Sequence, residues 1–273
     1  MNTPTGSPAV CDYKADPEKA AKEEAARFNA VKLEPKDGIY CNICYNREMI
    51  AHAVRGEGMF RNNWYVENTY CSCVKQRAAL AKRKASGMEE ALDHVGDFTT
   101  AQDWQAAILT KARLFTSQTA ARCFFIGGQS GAGKTHISTL ICKELIETGH
   151  ALLYKKWVDV IEKLTDFHSE DKDRIWDEIT NIRVLYIDDL LKPSGSAFNS
   201  REVRATFDMI DRRYVKRDSI TVISSELTST QISQIDEATA RRIKEMAGDF
   251  VIDISKDPNK IYRAVERRYD SPF

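Results

Sequence analysis

Eight consecutive residues constrain this chain more than any others. Gly128, Gln129, Ser130, Gly131, Ala132, Gly133, Lys134 and Thr135 fit the pattern GxxxxGK[ST], directly after the apolar run Cys123, Phe124, Phe125, Ile126. A strand that ends in a glycine-rich turn and then opens a helix aims several backbone N–H groups at one concavity. The helix N-terminus adds partial positive charge there. Such a turn is a phosphate cradle, in which Lys134 would neutralise the β and γ phosphates of ATP and the Thr135 hydroxyl would ligate magnesium. A glycine turn arising by chance does not require a strand before it and a helix after it; this one has both signals.

From Arg122 onward, apolar runs at 122–126, 151–155, 183–187, 219–223 and 250–254 alternate with helical stretches. This alternation predicts a five-stranded parallel sheet between helices, a three-layer α/β fold. A helix opening at Asp103, with Trp104, Ala107, Ile108, Ala112 and Phe115 on one face, is expected to cover the sheet. Ligands of such sheets bind at the carboxyl ends of the strands. The run Val184 to Ile187 ends there in Asp188 and Asp189. Asp188 is expected to hold magnesium and Asp189 to position or deprotonate the attacking water, although a second carboxylate here also suits a helix N-cap. The run Ile220 to Ile223 ends in Ser224, Ser225 and Glu226, where a polar side chain either senses the γ-phosphate or starts a turn. Arg241 and Arg242 offer a finger for a neighbouring subunit's nucleotide, against a reading as surface ion pairs, and Arg263 offers a further cation within the subunit.

The N-terminal part is of a different kind. Asp16, Pro17 and Glu18 start a short helix reaching about Asn29, rich in Ala, Lys and Glu, which is either solvated or a docking helix. Cys41, Cys44, Cys71 and Cys73 form two closely spaced pairs, as a closed zinc site needs; an iron–sulfur cluster and unligated thiols are the alternatives. Seven cysteines without an export signal argue against a disulfide framework. Arg47, Arg55, Arg61, Trp64, Tyr65 and Tyr70 between the pairs either contact single-stranded nucleic acid or build the module's core. A basic helix carrying Lys75, Arg77, Lys82, Arg83 and Lys84 follows and ends at Ser86 and Gly87. With 40 basic and 40 acidic residues, any nucleic-acid contact must be local. No apolar run is long enough for a membrane span, so a cytoplasmic protein without a membrane partner is expected. The expected divisions are a tail and short helix over 1–37, a zinc module with its basic helix over 38–86, a linker over 87–100 and an ATPase domain over 101–273.

Gly131 to His136, Ile187 to Asp189, Asp211 to Tyr214, Ser224 to Leu227 and Arg241 to Met246 together resemble the AAA+ domain of DnaC-like replicative helicase loaders. The cysteine stretch followed by Ser86, Gly87 and Met88 is similar to the N-terminal part of phage loader-like proteins. The resemblance spans roughly residues 38–265. It implies an ATPase that binds a DnaB-like helicase hexamer, places it on single-stranded DNA and assembles as a homo-oligomer. It further implies nucleotide contacts from Gly128 through His136, and it favours Arg242 as the finger and Arg263 as a second sensor. Glu226 stands where many members carry asparagine, and Ser225 is the alternative first sensor. An adaptor switched by ATP without obligatory turnover, or a transposition-helper ATPase, would use the same domain. A DnaA-type initiator is not expected, because no helix-turn-helix follows the ATPase region.

Overall fold

The computed structural model describes residues 16–61, 63–117, 120–166, 169–192 and 199–262. The chain divides into two compact units, Met1–Ala78 and Ala79–Phe273. In the first unit, α1 (Pro17–Ala30) starts where the Asp16 carboxylate accepts the Glu18 N–H at 3.1 Å, with proline at the first helical position. A hairpin follows, β1 (Met49–Arg55) against β2 (Trp64–Tyr70), with Met49 opposite Tyr70 and Arg55 opposite Trp64. The helix is neither solitary nor fully solvated. Ala21 and Ala25 are buried, and the Asn29 carboxamide makes two 2.9 Å bonds to the Ala51 backbone, one donated and one accepted. Arg47 stacks on Phe28 at 3.7 Å.

The aromatics of this unit do not form its core. Tyr65, Tyr70 and Phe60 are exposed, and the buried apolar groups are small: Ala21, Ala25, Ala51, Cys44, Cys71 and Cys73. α2 (Ser72–Ala85) begins in this unit and runs into the second.

The second unit continues with α3 (Glu89–His94) and α4 (Asp103–Ser117). Residues 87–100, expected as a linker, instead carry α3 and bury Met88, Leu92 and Phe98 in the core beside the sheet. The reason is that three large apolar side chains gain more from burial than a solvated tether could offer. Then come β3 (Cys123–Gly128), α5 (Lys134–Glu147), β4 (Leu152–Lys156), α6 (Trp157–Thr165), α7 (Lys172–Asn181) and β5 (Val184–Asp188). They are followed by α8 (Ser200–Val215), β6 (Ile220–Ser225), α9 (Ser229–Ile235), α10 (Glu237–Ala247) and β7 (Val251–Ile254). The five strands are parallel in the order β4-β5-β6-β3-β7, as the alternation of runs predicts.

β3 and β5 are buried on both faces, with the period of two that a central strand imposes. Phe124, Ile126, Val184 and Tyr186 pack with α3, α4 and α5, while Cys123, Phe125, Leu185 and Ile187 pack with α6 to α10. On α4, Ile108, Ala112 and Phe115 are buried as expected, but Ala107 is exposed. No helix among the described residues is long and apolar enough to cross a membrane.

Arg213 is fully buried at the far end of α8. Its guanidinium donates to Ile182 O at 2.7 Å, to Ile179 O and Thr180 O at 3.3 Å, to Thr221 Oγ1 at 3.1 Å and to Ile220 O. Burial pulls its pKa down to about 10, which still leaves it charged at neutral pH. The residue therefore ties the end of α7 to the start of β6. Arg213→Met keeps the bulk but orphans several carbonyls at about 1–3 kcal/mol each. Urea denaturation should show a loss of about 3 kcal/mol or more; a loss under about 1 kcal/mol would assign the tie no weight.

Candidate functional site: a phosphate cradle and a cysteine cluster

β3 delivers the chain into the glycine turn, and two of its glycines have no substitute. Gly128 has φ +108°, and a Cβ there would sit 2.0 Å from the Ile254 carbonyl oxygen. Gly133 has φ +83° and closes on the Phe98 ring, which a Cβ would meet at 2.9 Å. The turn lies against β7, where Gln129 N–H donates to Ile254 O at 3.1 Å and the Gln129 side chain accepts from Asp257 N–H.

α5 opens at Lys134, whose ammonium folds back onto Gly128 O at 2.9 Å and Gln129 O at 2.8 Å. Burial lowers its pKa, and the carboxylates of Glu226, Asp189 and Asp188 act against that shift. A cavity of about 330 Å³ opens here, lined by Ser130, Gly131, Gly133, Lys134, Thr135, His136, Asp189, Glu226 and Tyr262.

At the end of β5, Asp188 is buried within a ring of hydroxyls. Its Oδ1 accepts from Tyr186 OH at 3.1 Å, from Thr135 Oγ1 at 3.4 Å and from Ser224 Oγ, and its Oδ2 accepts from Tyr154 OH at 3.4 Å. Burial, with the Asp188 charge added to it, raises both tyrosine pKa values, so both phenols remain donors. The Thr135 and Asp188 oxygens stand near the roughly 3 Å edge of an octahedron with 2.0–2.1 Å bonds. They therefore fit magnesium, a hard ion that takes oxygen ligands.

Asp189 adopts φ +58°, an uncommon conformation for a residue with a side chain. It projects into the cavity, where its Oδ2 meets Lys192 Nζ at 3.1 Å; Lys192 also reaches Glu226 at 3.3 Å. Both carboxylates raise the Lys192 pKa, the hydrogen bond that Lys192 donates to Asp189 most. α8 takes its side-chain cap from Asn199, and the Asp189 carboxylate pairs with an ammonium, so the helix-cap alternative has no support here.

Several other site residues turn out differently from their sequence expectation. Ser225 is not brought to the cradle: its buried hydroxyl donates to Leu190 O at 2.7 Å and accepts Leu227 N–H at 3.1 Å, which fixes the turn after β6. Glu226 lines the cavity in its place. The ring of His136 is held by Gly96 O at 2.8 Å and by edge contacts with Phe98 and Tyr262. Arg242 is engaged within its own chain, with its Nε 2.7 Å from Asp211 and its guanidinium 4.6 Å from the Phe207 ring. Arg241, next to it, is exposed and pairs along its own helix with Glu245. Arg263 lies outside the described residues.

Sequence reasoning missed Tyr154 and Tyr186 around Asp188, Lys192 beside Asp189, and Tyr262, and it named Ser224 as a sensor or turn residue without its bond to Asp188. The strand pairings Tyr154 with Tyr186 and Tyr186 with Val222 would have located the hydroxyl ring, had the register been known.

In the first unit the four Sγ atoms of Cys41, Cys44, Cys71 and Cys73 all lie within 4.8 Å of one another. Cys41 and Cys71 are 3.8 Å apart, and Cys44 and Cys73 are 3.5 Å apart. A zinc ion with four 2.3 Å thiolate bonds has S···S edges of about 3.8 Å, so the four thiols fit it. The loop after Cys44 turns through positive φ at Tyr45, Asn46 and Glu48, and Asn46 Oδ1 accepts Cys41 N–H at 2.8 Å. The backbone N–H of Cys44, and less strongly that of Ile43, pulls the Cys41 thiol down to about 6, in favour of thiolate.

The profile of IstB-like ATP binding protein matches residues 67–243. The phage-like element PBSX protein XkdC of Bacillus subtilis is 26% identical over 86% of this chain and 85% of its own length. The uncharacterized protein YqaM of the same organism is 28% identical over 68% of this chain. Only 63% of YqaM's length is spanned by that match. Among solved structures, a DnaC helicase loader superposes with a TM-score of 0.50 at 20% identity, covering 65% of this chain and 99% of that one; the likeness is one of fold.

Proposed function

Because the chain belongs to the family of IstB-like ATP binding proteins, we propose that it is a cytoplasmic AAA+ ATPase that loads a replicative, DnaB-like helicase hexamer onto single-stranded DNA during phage replication. The observation that carries the ATPase reading is the convergence of Lys134, Thr135 and Asp189 on one cavity at the carboxyl ends of β3 and β5, with Asp188 buried beside it and 3.4 Å from the Thr135 hydroxyl. Lys134 would leave its two loop carbonyls for the β and γ phosphates. Thr135 and Asp188 would share magnesium, and Asp189 would orient the attacking water once Lys192 lets it go. The XkdC likeness supports the phage setting, and the resemblance of the motifs to helicase loaders supports the partner. An arginine from a neighbouring copy would complete the site, which calls for a homo-oligomer. Arg242 has the motif position, and the exposed Arg241 has the freedom to reach. Zinc at the four cysteines would hold a module over 38–86.

The test is ATP turnover with and without single-stranded DNA and the cognate helicase, with the mixture sized by light scattering. A stable complex whose formation changes turnover supports the loader. Duplex DNA stimulating turnover with no helicase complex in ATP or ADP overturns it in favour of a transposition helper. Asp189→Asn should lower turnover by about 10²-fold while leaving ATP bound. If that variant still delivers helicase, the protein is an ATP-switched adaptor.

A further inference from the structure

The opposite edge of the sheet carries a second charged feature. Arg122 immediately precedes β3, His150 stands two residues before β4, Arg183 immediately precedes β5, and Arg217 stands three residues before β6. These four segments are neighbours in the sheet, and their side chains line one cavity of about 150 Å³ with Asp218 as the single lining carboxylate among the described residues. Lys82 adds a further cation beside it, donating to Gly149 O. The field of these groups is felt by His150, whose pKa is lowered by burial and then by Arg183 and Lys82.

Helix C-termini also point to this edge, and cations often serve to offset their partial negative charge. Arg122 does so in part, bonding Tyr214 O at 3.1 Å and Lys216 O at 3.5 Å. Arg183 and Arg217 do not. Among the described residues neither guanidinium has a hydrogen bond or an ion pair, although both face the cavity. Uncompensated guanidiniums gathered from separate segments repel one another, and a phosphate group relieves that repulsion with the fork geometry arginine favours.

We infer that the cavity bounded by Arg122, His150, Arg183 and Arg217 is a phosphate-binding site distinct from the nucleotide cradle. Gly128, where the glycine turn opens, stands six residues after Arg122 along β3, so at about 3.3 Å per residue the two sites lie about 20 Å apart. The phosphate is supplied either by the backbone of single-stranded nucleic acid or by a free phosphate or pyrophosphate, and the test separates these sources.

The full chain and its Arg183→Glu/Arg217→Glu variant are compared in three assays: anisotropy of labelled oligo(dT) across a salt series, thermal shift with pyrophosphate, and binding of a fluorescent ATP analogue. For nucleic acid, the variant should bind oligo(dT) about tenfold or more weakly, and its log–log salt slope should be shallower by about 1.4 for two lost phosphates. ATP-analogue affinity should stay unchanged. If oligo(dT) binding is equal in both chains but pyrophosphate, added with the nucleotide cradle saturated by the ATP analogue, stabilises the parent more than the variant, the site takes a small anion. Equal affinity, equal slope and a pyrophosphate effect that is absent or equal in the two chains overturn the proposal. Should the double variant not fold, Arg183→Gln/Arg217→Gln removes the same two charges without reversing them and is read by the same criteria.

Discussion

Lys134→Ala is expected to lower ATP turnover by about 10²–10³-fold, the usual cost of deleting one charged donor aimed at a transferring group. The structure makes the substitution unusually clean. The Lys134 ammonium is held by Gly128 O and Gln129 O, so its removal frees two loop carbonyls that can turn to water in the adjoining cavity. The fold should therefore survive, with a circular dichroism spectrum like the parent's, while phosphate release collapses. Titration with a fluorescent ATP analogue then separates lost binding from lost chemistry. Turnover within about threefold of the parent would remove Lys134 from the mechanism.

The second large effect is expected in the first unit. Its buried apolar groups are alanines and cysteines, a core too small to hold a helix and a two-stranded hairpin by burial alone. Four thiolates on one zinc ion can add about 10 kcal/mol of apparent stabilisation at neutral pH. The purified chain should carry one equivalent of zinc, and Cys44→Ser or a strong chelator should abolish protection from hydrogen exchange in α1, β1 and β2. The sheet of the second unit should keep its protection. A chain free of metal whose hairpin amides remain protected would leave the thiols unligated.

The phosphate loop, the five strands and the double aspartate were legible in the sequence because each is written within about ten consecutive residues. What lay beyond reach depends on register and on distant segments. The hydroxyls around Asp188 come from β4, β5, β6 and α5, and no local pattern says that Tyr154 and Tyr186 stand side by side. Ser225 was plausible as a sensor on its position alone, but hydrogen bonding to Leu190 and Leu227 consumes its hydroxyl. Residues 87–100 read as a tether although Met88, Ala91, Leu92 and Val95 carry the i, i+3, i+4, i+7 spacing of a short helix, and the folded sheet shows that Met88, Leu92 and Phe98 are what is buried beside it. The aromatics between the cysteine pairs misled in the opposite way: they resemble a core in composition, yet Tyr65 and Tyr70 face solvent.

Tyr262 joins segments far apart in the chain at the base of the loop. Its N–H donates to Gly131 O at 2.8 Å, its hydroxyl accepts Thr99 N–H at 2.9 Å, and its ring stacks on Phe98 at 4.6 Å and meets His136 edge-on. The glycine loop is thus riveted on its outer side to the segment leading into α4 and to the segment leaving β7. When phosphates enter and the loop adjusts, the rivet must travel with it or shear. On the proposed reading, occupancy of the pocket would then bear on the placement of two distant stretches of chain, and Tyr262 would serve as a pointer as well as a rivet.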